Sequence, residues 1–443
     1  MIEIFTVGGY NEVGKNCTVV KINNTAIILD MGLHLENYIK LTEDDDVERR
    51  SRKELVDAGA IPNLSRIMHL KDNVKAIIPT HAHLDHVGAI PYLATLFKAP
   101  ILCTPFTKAV IENILRDEKI ELKNEIKPLQ VHSVYHINDD VRVEFINITH
   151  STPQTVMVAL HTKEGVILYA NDFKFDRYPT LGSPPQLERL KQLGEKGVKV
   201  LIVDSTYAKE AIKMPSESVA KQMLKDVMLG TVSKDNAVIV TTFSSHIARL
   251  KSIVEFSKMM NRKPMFLGRS LAKYTDAAEK VGIANFSKEV EIVKYGNKIR
   301  NKLKSIKDSD KKKYVFVVTG HQGEQKSTLS KIINGEIEFK LKPEDQVIFS
   351  CKVIPTKTNI DNRNRMEKIM SSMGLRIFKD IHVSGHAARE DLRDLINLVK
   401  PKNIIPAHGD RTMTSAMLAL ASEMGYSPKK TVHLMSDMEN IKL

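Results

Sequence analysis

Thr80-His81-Ala82-His83-Leu84-Asp85-His86 decides how this chain is read. It continues from VKAIIPT, Val74 to Thr80, an apolar run of the kind that forms a buried strand. Three imidazoles and a carboxylate then fall within six residues. Polar groups crowded at a strand end need partners, because an unpaired polar group out of water is costly. His and Asp are borderline-to-hard ligands suited to zinc or manganese. In a loop, His81 and His83 can face one ion while Asp85 and His86 face another. The remaining ligands must then come from distant parts of the chain.

Working outward, the same pattern recurs. The strand-like run TAIILD ends on Asp30, VRVEFINI leads to His150, VILYAND ends on Asp172, KVLIVDST carries Asp204 and NIIPAHGD carries His408. In layered α/β folds, sites gather in the loops beyond one end of the strands. IEIFTVGG and CTVVKI predict strands before them, and the charged stretch 43–59 reads as a solvated helix or loop over the core. After Asp204 the rhythm changes. Helical patterns (ESVAKQMLKDVM, HIARLKSIVEFSKMM) alternate with strands (NAVIVTTF, KPMFLG, KYVFVVTG, DQVIFS), which predicts a parallel sheet with flanking helices. Two more helices, REDLRDLINLVK and TSAMLALASEMG, flank NIIPAHGD.

Composition bounds the function. The chain has 443 residues, 42% of them apolar, which is enough for real cores and excludes a disordered chain. No apolar run approaches the ~18 residues that cross a bilayer, so an integral membrane protein is not expected, and the N-terminus shows no secretory signal pattern. Cys17, Cys103 and Cys351 are far apart and form no CxxC pair, which fits buried thiols in a cytoplasmic protein. A net charge of +13 points to an anionic partner, and the lack of Trp argues against a surface built mainly on base stacking. The stretch 298–313 holds eight basic and two acidic residues and reads as a solvated face, with contact to RNA phosphates as the alternative. Gly9-Tyr10-Asn11-Glu12-Val13-Gly14-Lys15-Asn16 nearly spells a phosphate-binding loop. It ends in Asn where Ser or Thr should meet magnesium, and a strand pattern follows instead of a helix, so it reads as a hairpin turn.

THAHLDHVGAIPYL resembles the HxHxDH signature of the metallo-β-lactamase superfamily, and the order Asp30, cluster, His150, Asp172 resembles its successive motifs. VDST with Asp204, HVSGHA with His386 and IPAHGD with His408 resemble motifs A, B and C of the β-CASP nucleases. GGYNEVGKNCTVV, TFSSHIARL, LGRSL and TGHQGE are similar to ribonuclease J, and the likeness covers nearly the whole chain. It departs where bacterial members continue into a C-terminal domain, and where QKSTLS replaces their PMSALS-like run. It also lacks the N-terminal KH domains of archaeal cleavage-and-polyadenylation-type relatives, so the shorter archaeal form of ribonuclease J is the better match.

The resemblance implies an α/β fold: an αββα metallo-β-lactamase sandwich from residues 1–208 and 376–443, with a β-CASP domain inserted at 209–375. It implies two divalent ions, zinc foremost, with manganese or magnesium as alternatives. His81, His83 and His150 would hold one, Asp85, His86 and His408 the other, and Asp172 would bridge them, with Asp30 orienting the cluster. His386 would stabilise charge and protonate the leaving group, with Asp204 orienting an imidazole. Ser244, Ser245, His246, Ser384, Gly385 and His386 are the candidates for binding substrate at a 5′-monophosphate, although Ser244 and Ser245 also read as a helix N-cap. The implied function is degradation of single-stranded RNA in the 5′-to-3′ direction from 5′-monophosphate ends, with endonuclease activity alongside. The alternative is a β-CASP endonuclease of RNA 3′-end processing or of DNA. The family expectation is a homodimer with no membrane partner.

Overall fold

The computed structural model describes the chain except residues 43–49, Lys234 and Pro355. Part of the charged stretch 43–59 therefore lies outside the described residues. Within the rest of it, a helix spans Arg52–Asp57, opened by a capping box in which Ser51 and Glu54 bond each other's backbone N–H. The described chain falls into two compact units. One comprises Met1–Arg177, Gly182–Met214 and Gly385–Leu443, the other Tyr178–Leu181 and Pro215–Ser384.

Strands of the first unit are β1 (Ile2–Gly8), β2 (Cys17–Ile22), β3 (Thr25–Leu29), β4 (Val74–Ile78), β5 (Ile101–Cys103), β6 (Ile126–Pro128), β7 (Val134–His136), β8 (Arg142–Asn147), β9 (Val156–Thr162), β10 (Gly165–Ala170) and β11 (Val198–Asp204). The second unit contributes β12 (Val238–Thr241), β13 (Lys263–Leu267), β14 (Glu291–Val293), β15 (Tyr314–Val318), β16 (Gln346–Phe349) and β17 (Arg376–Phe378), and the chain returns to the first for β18 (Asn403–Ala407) and β19 (Glu439–Lys442).

The first unit is a pair of sheets, in the orders β19-β1-β2-β3-β4-β5-β6 and β18-β11-β10-β9-β8-β7. Alternate residues of both sheets face each other. Ile4, Val20, Ile27 and Ile78 from one and Val143, Val158, Ile167, Val200 and Ile405 from the other share a single buried core. The opposite face of the second sheet (Ile146, Leu168, Leu201, Val203) packs on Leu190 and Leu193 of helix Leu187–Lys196, Leu392 and Leu395 of helix Arg389–Val399, and Met417 and Leu420 of helix Arg411–Glu423. On the outer side of the first sheet, helix Pro105–Glu118 buries Phe106 and Val110. The result is the αββα sandwich, built from both ends of the chain: β19 pairs antiparallel with β1, and β18 pairs parallel with β11.

The second unit is the inserted α/β body. Its sheet, β14-β13-β15-β12-β16-β17, is parallel throughout. Its strands are apolar on both faces, as a doubly covered parallel sheet requires. Ile239, Met265, Phe316 and Val347 pack with Ile299, Leu329 and Met366 from flanking helices. The basic stretch 298–313 runs through helix Gly296–Ser305 and the turn after it. Lys302 pairs with Glu291, Lys304 with Glu338, Lys312 with Asp235 and Lys313 with Asp310, so much of its charge is locally matched. Cys17, Cys103 and Cys351 are buried free thiols. No helix among the described residues is long and apolar enough to cross a membrane.

Candidate metal centre

The site lies in the first unit, where β3, β4, β8, β10, β11 and β18 end. β4 ends at Ile78 and delivers His81 three residues on, and the short helix Leu84–Val87 carries Asp85 and His86. Asp172 follows β10 and His408 follows β18. Asp30, Asp172 and His408 all have left-handed backbones (φ 59°, 45° and 51°). An L-residue adopts that conformation at a cost, so three cases around one site mark loops held by their surroundings.

Two sets of ligand atoms converge. His81, His83, His150 and Asp172 form one, and Asp85, His86, Asp172 and His408 the other, with all atoms of each set within 4.8 Å of one another. Asp172 belongs to both. In the first set His83 Nδ1 lies 3.0 Å from His81 Nε2 and 3.1 Å from His150 Nε2. Nitrogens at about 2.0–2.1 Å from a tetrahedral zinc would stand roughly 3.3 Å apart, so the spacing fits an ion. In the second, Asp172 Oδ1 is buried without a hydrogen bond. Its neighbours are His86 Nε2 at 3.2 Å and His408 Nε2 at 3.5 Å. An orphaned carboxylate oxygen facing ring nitrogens is the donor set a divalent cation takes. A third group, Asp204, His386 and His408, is less open: Asp204 Oδ1 accepts from the Thr206 N–H and hydroxyl, and Oδ2 from His386 Nδ1.

The polar residues behind the ligands set their tautomers. Asp30 Oδ2 accepts from His86 Nδ1 at 2.8 Å, leaving Nε2 to face Asp172. Asp30 also accepts from the Thr80 N–H (2.7 Å) and hydroxyl, and the Thr80 oxygen lies 3.1 Å from His81 Nδ1. The hydroxyl proton is turned to Asp30, so the Thr80 oxygen accepts from His81 and leaves His81 Nε2 bare. His150 Nδ1 donates to the Gly385 carbonyl at 2.8 Å, which again frees Nε2. A Cβ at Gly385 would lie 2.8 Å from that same Nδ1, so only glycine lets the backbone come this close.

Electrostatics divide the site. Burial pushes His81 and His150 well below the ordinary imidazole range and His83 down to about 4, so all three are neutral, the form that binds metal. Burial alone would lower His86 too, but Asp172, Asp30 and Asp85 outweigh it and raise it. The same contest at His386 is won by Asp204 and Asp172, which lift it to about 9. His386 Nε2 lies 3.8 Å from Asp172 Oδ2, and its ring stacks on that of His408.

The metal-ligand candidates, Asp30, Asp204 and His386 thus gather in one place. The phosphate-pocket candidates are in a different setting. Ser244 Oγ is 2.9 Å from Ser270 Oγ, and Ser245 and Ser384 are buried in the second unit, while Gly385 belongs to the first. The N-cap of helix Ile247–Met259 is His246 and neither of the serines: its Nδ1 accepts from the Arg249 N–H. The sequence reading missed Thr80, Thr206 and Ser151, whose hydroxyl is 3.3 Å from His150 Nε2. It also missed Asn16, which touches both His86 and His408. Thr80 and Thr206 lie inside motifs read for their imidazole and acidic members, Ser151 follows His150, and Asn16 closes the turn that imitates a phosphate loop.

Known proteins fit this geometry. The family described as "Metallo-beta-lactamase superfamily" matches residues 10–203, "Ribonuclease J, beta-CASP domain" matches 235–369, and "Zn-dependent metallo-hydrolase RNA specificity domain" matches 373–435. Ribonuclease J of Methanocaldococcus jannaschii is 39% identical over 98% of this chain and 97% of its own length. Ribonuclease J of Pyrococcus abyssi is 40% identical over 98% and 95%, and that of Helicobacter pylori 30% identical over 100% and 61%. A crystal structure of a protein of unknown function from Enterococcus faecalis V583 shares the fold, with a TM-score of 0.65 over 100% of both chains at 16% identity. Full-length similarity to the archaeal proteins, on a sandwich whose strand ends assemble these ligand sets, places the chain in the ribonuclease J family, within the β-CASP branch of the metallo-β-lactamase superfamily.

Proposed function

We propose that this chain is a metal-dependent ribonuclease that degrades single-stranded RNA in the 5′-to-3′ direction, prefers 5′-monophosphate ends and also cuts internally. The observation that carries the reading is Asp172 shared between two ligand sets, with the Asp204–His386 pair beside them. Relatives named ribonuclease J over the full length supply the RNA substrate.

Two divalent ions held by His81, His83, His150, Asp172, Asp85, His86 and His408, zinc in the first instance, would supply Lewis acidity to a water and to a phosphate oxygen. The chain's own groups do the rest. Asp204 accepts a hydrogen bond from the Nδ1–H of His386, so the Nε2 edge next to Asp172 is the one that meets substrate. Raised to about 9, His386 is an imidazolium at neutral pH. It can hold a proton at Nε2 for the departing oxygen and place positive charge where the phosphorane builds negative charge. Ser244 and Ser245, at the start of the helix that opens with His246, offer hydroxyls for a terminal phosphate, and that helix end favours an anion. A triphosphate is bulkier and more charged than such a cradle fits.

The test is metal counting together with product analysis on end-labelled RNA. Mononucleotides released from 5′-monophosphate RNA, slowly or not at all from 5′-triphosphate RNA, and lost in His81→Ala and Asp85→Ala, support the reading. Equal rates on monophosphate and hydroxyl ends remove the phosphate cradle. Internal fragments alone, independent of end chemistry, favour a pure endonuclease. Cleavage that survives both substitutions removes the metal chemistry.

A further inference from the structure

We infer that Asn16 is a positioning residue for the second ligand set: its carboxamide fixes His408 in the tautomer that presents Nε2 and pins the Asp85–His86 turn beside it. The inference rests on the metal reading above and goes beyond it in assigning work to the glycine-rich turn that imitates a nucleotide loop.

The contacts of Asn16 with Asp85 and His408 fix which end of its amide is which. A backbone carbonyl can only accept, and the Asp85 carbonyl lies 3.1 Å from one end of the side-chain amide, so that end is the NH2. The other end is therefore the oxygen, 2.9 Å from His408 Nδ1. An oxygen facing a ring nitrogen requires that nitrogen to carry the proton. His408 Nδ1 is thus N–H, and its lone pair sits on Nε2, the atom turned toward Asp85 and Asp172. The amide NH2 also lies 3.0 Å from His86 Nε2, so one side chain spans two members of the set.

The backbone of Asn16 works in the same direction. Its N–H donates to the Asp85 carbonyl at 3.0 Å, and its carbonyl accepts from the Gly32 N–H at 3.0 Å. Asn16 is 2% exposed, so every one of its polar groups is used inside the protein. The glycines explain how it gets there. Gly9 has a left-handed backbone (φ 87°), its carbonyl accepts the His408 N–H at 2.6 Å, and a Cβ on it would stand 2.5 Å from the Asn16 side-chain oxygen. A Cβ on Gly32 would meet the Asp85 carbonyl oxygen outright. The turn is glycine-rich because backbone from three regions, 8–16, 30–34 and 84–86, must close around one amide.

Asparagine is the side chain this place needs. Aspartate would lose the donor to the Asp85 carbonyl and add a negative charge beside Asp85 and Asp172. Serine and threonine are too short to span His408 and Asp85 together. The strand after the turn begins at Cys17, so nothing here resembles the helix that a bound nucleotide phosphate would need.

The experiment titrates zinc into metal-stripped protein by calorimetry, counts bound ions, and melts the stripped protein. Wild type, Asn16→Ala, Asn16→Ser and Tyr10→Phe are compared. The last removes a hydroxyl contact with Thr18 from the same turn and serves as the structural control. The expected result is two ions in wild type and Tyr10→Phe. In Asn16→Ala the first ion binds as before and the second about 10–100-fold more weakly, with the melting of the stripped protein little changed. Asn16→Ser, the gentler substitution, is read by the same criterion if the alanine variant does not fold. Unchanged affinity for both ions overturns the inference, and so does parallel weakening of both ions with a lower melting temperature. Fewer than two ions in wild type overturns the metal reading itself, a different failure with a different signature.

Discussion

Asp204 commits both carboxylate oxygens, one to Thr206 and one to His386, and reaches the reaction only through that imidazole. Asp204→Asn keeps the shape, but it removes the charge that holds His386 cationic and lets an NH2 face Nδ1. We expect RNA cleavage to fall roughly 10²–10⁴-fold, the usual worth of a positioned acid, with metal content and RNA binding unchanged. A stopped-flow rate beside a metal count checks it. Single residues were legible in the sequence where density betrayed them: His81, His83, Asp85 and His86 stand together, and His150, Asp172 and His408 each end an apolar run. Asn16 was not legible, because its turn imitates a phosphate loop and its partner His408 lies near the other end of the chain. Hydrogen bonds of that span leave no local trace.

Elements carry two charge arrangements away from the site. On β8, Glu144 accepts from Arg189 of helix Leu187–Lys196 and from His161 of β9, and these partners outweigh burial and hold its carboxyl down to about 2. Unfolded, a glutamate titrates near 4.3. A depressed folded value means stability that is fully present above about pH 4.3 and lost as pH falls toward 2. Glu144→Gln should therefore be less stable than wild type at pH 6, with the gap closing by pH 2.5, as urea midpoints at both pH values would show. In the second unit, Arg249 is completely buried. It forms a two-pronged pair with Glu217 and donates to the carbonyls of Ser350 and Ile381. Glu217→Ala strands that charge and should cost about 3–5 kcal/mol, while the double change Glu217→Leu, Arg249→Met should recover most of it. Long strands and helices were legible from period and length. β5, β6 and β7 were not, since three residues are too few to show alternation and only their neighbours make them strands.

At the scale of the molecule, every member of the three ligand groups belongs to the first unit. Chelation should therefore lower the melting of that unit selectively. An ion at 100-fold its dissociation constant adds about 2.7 kcal/mol to the state that binds it, so calorimetry with and without chelator should move one transition and leave the other in place. The broad plan was legible because the change from hairpin strands to alternating strands and helices is a change of rhythm. The closure of the first sheet by β19 beside β1 was not, since ENIK has no strand pattern of its own and pairs only because β1 offers an edge. That closure also orders events in time. His408 and the strand that carries it are made after the whole inserted unit, whereas His81, His83, His150 and Asp172 are made before it. A polypeptide still emerging from the ribosome has neither His408 for the second set nor the Gly385 carbonyl that fixes His150 in the first. The paired site is therefore closed only when synthesis of the chain is nearly done.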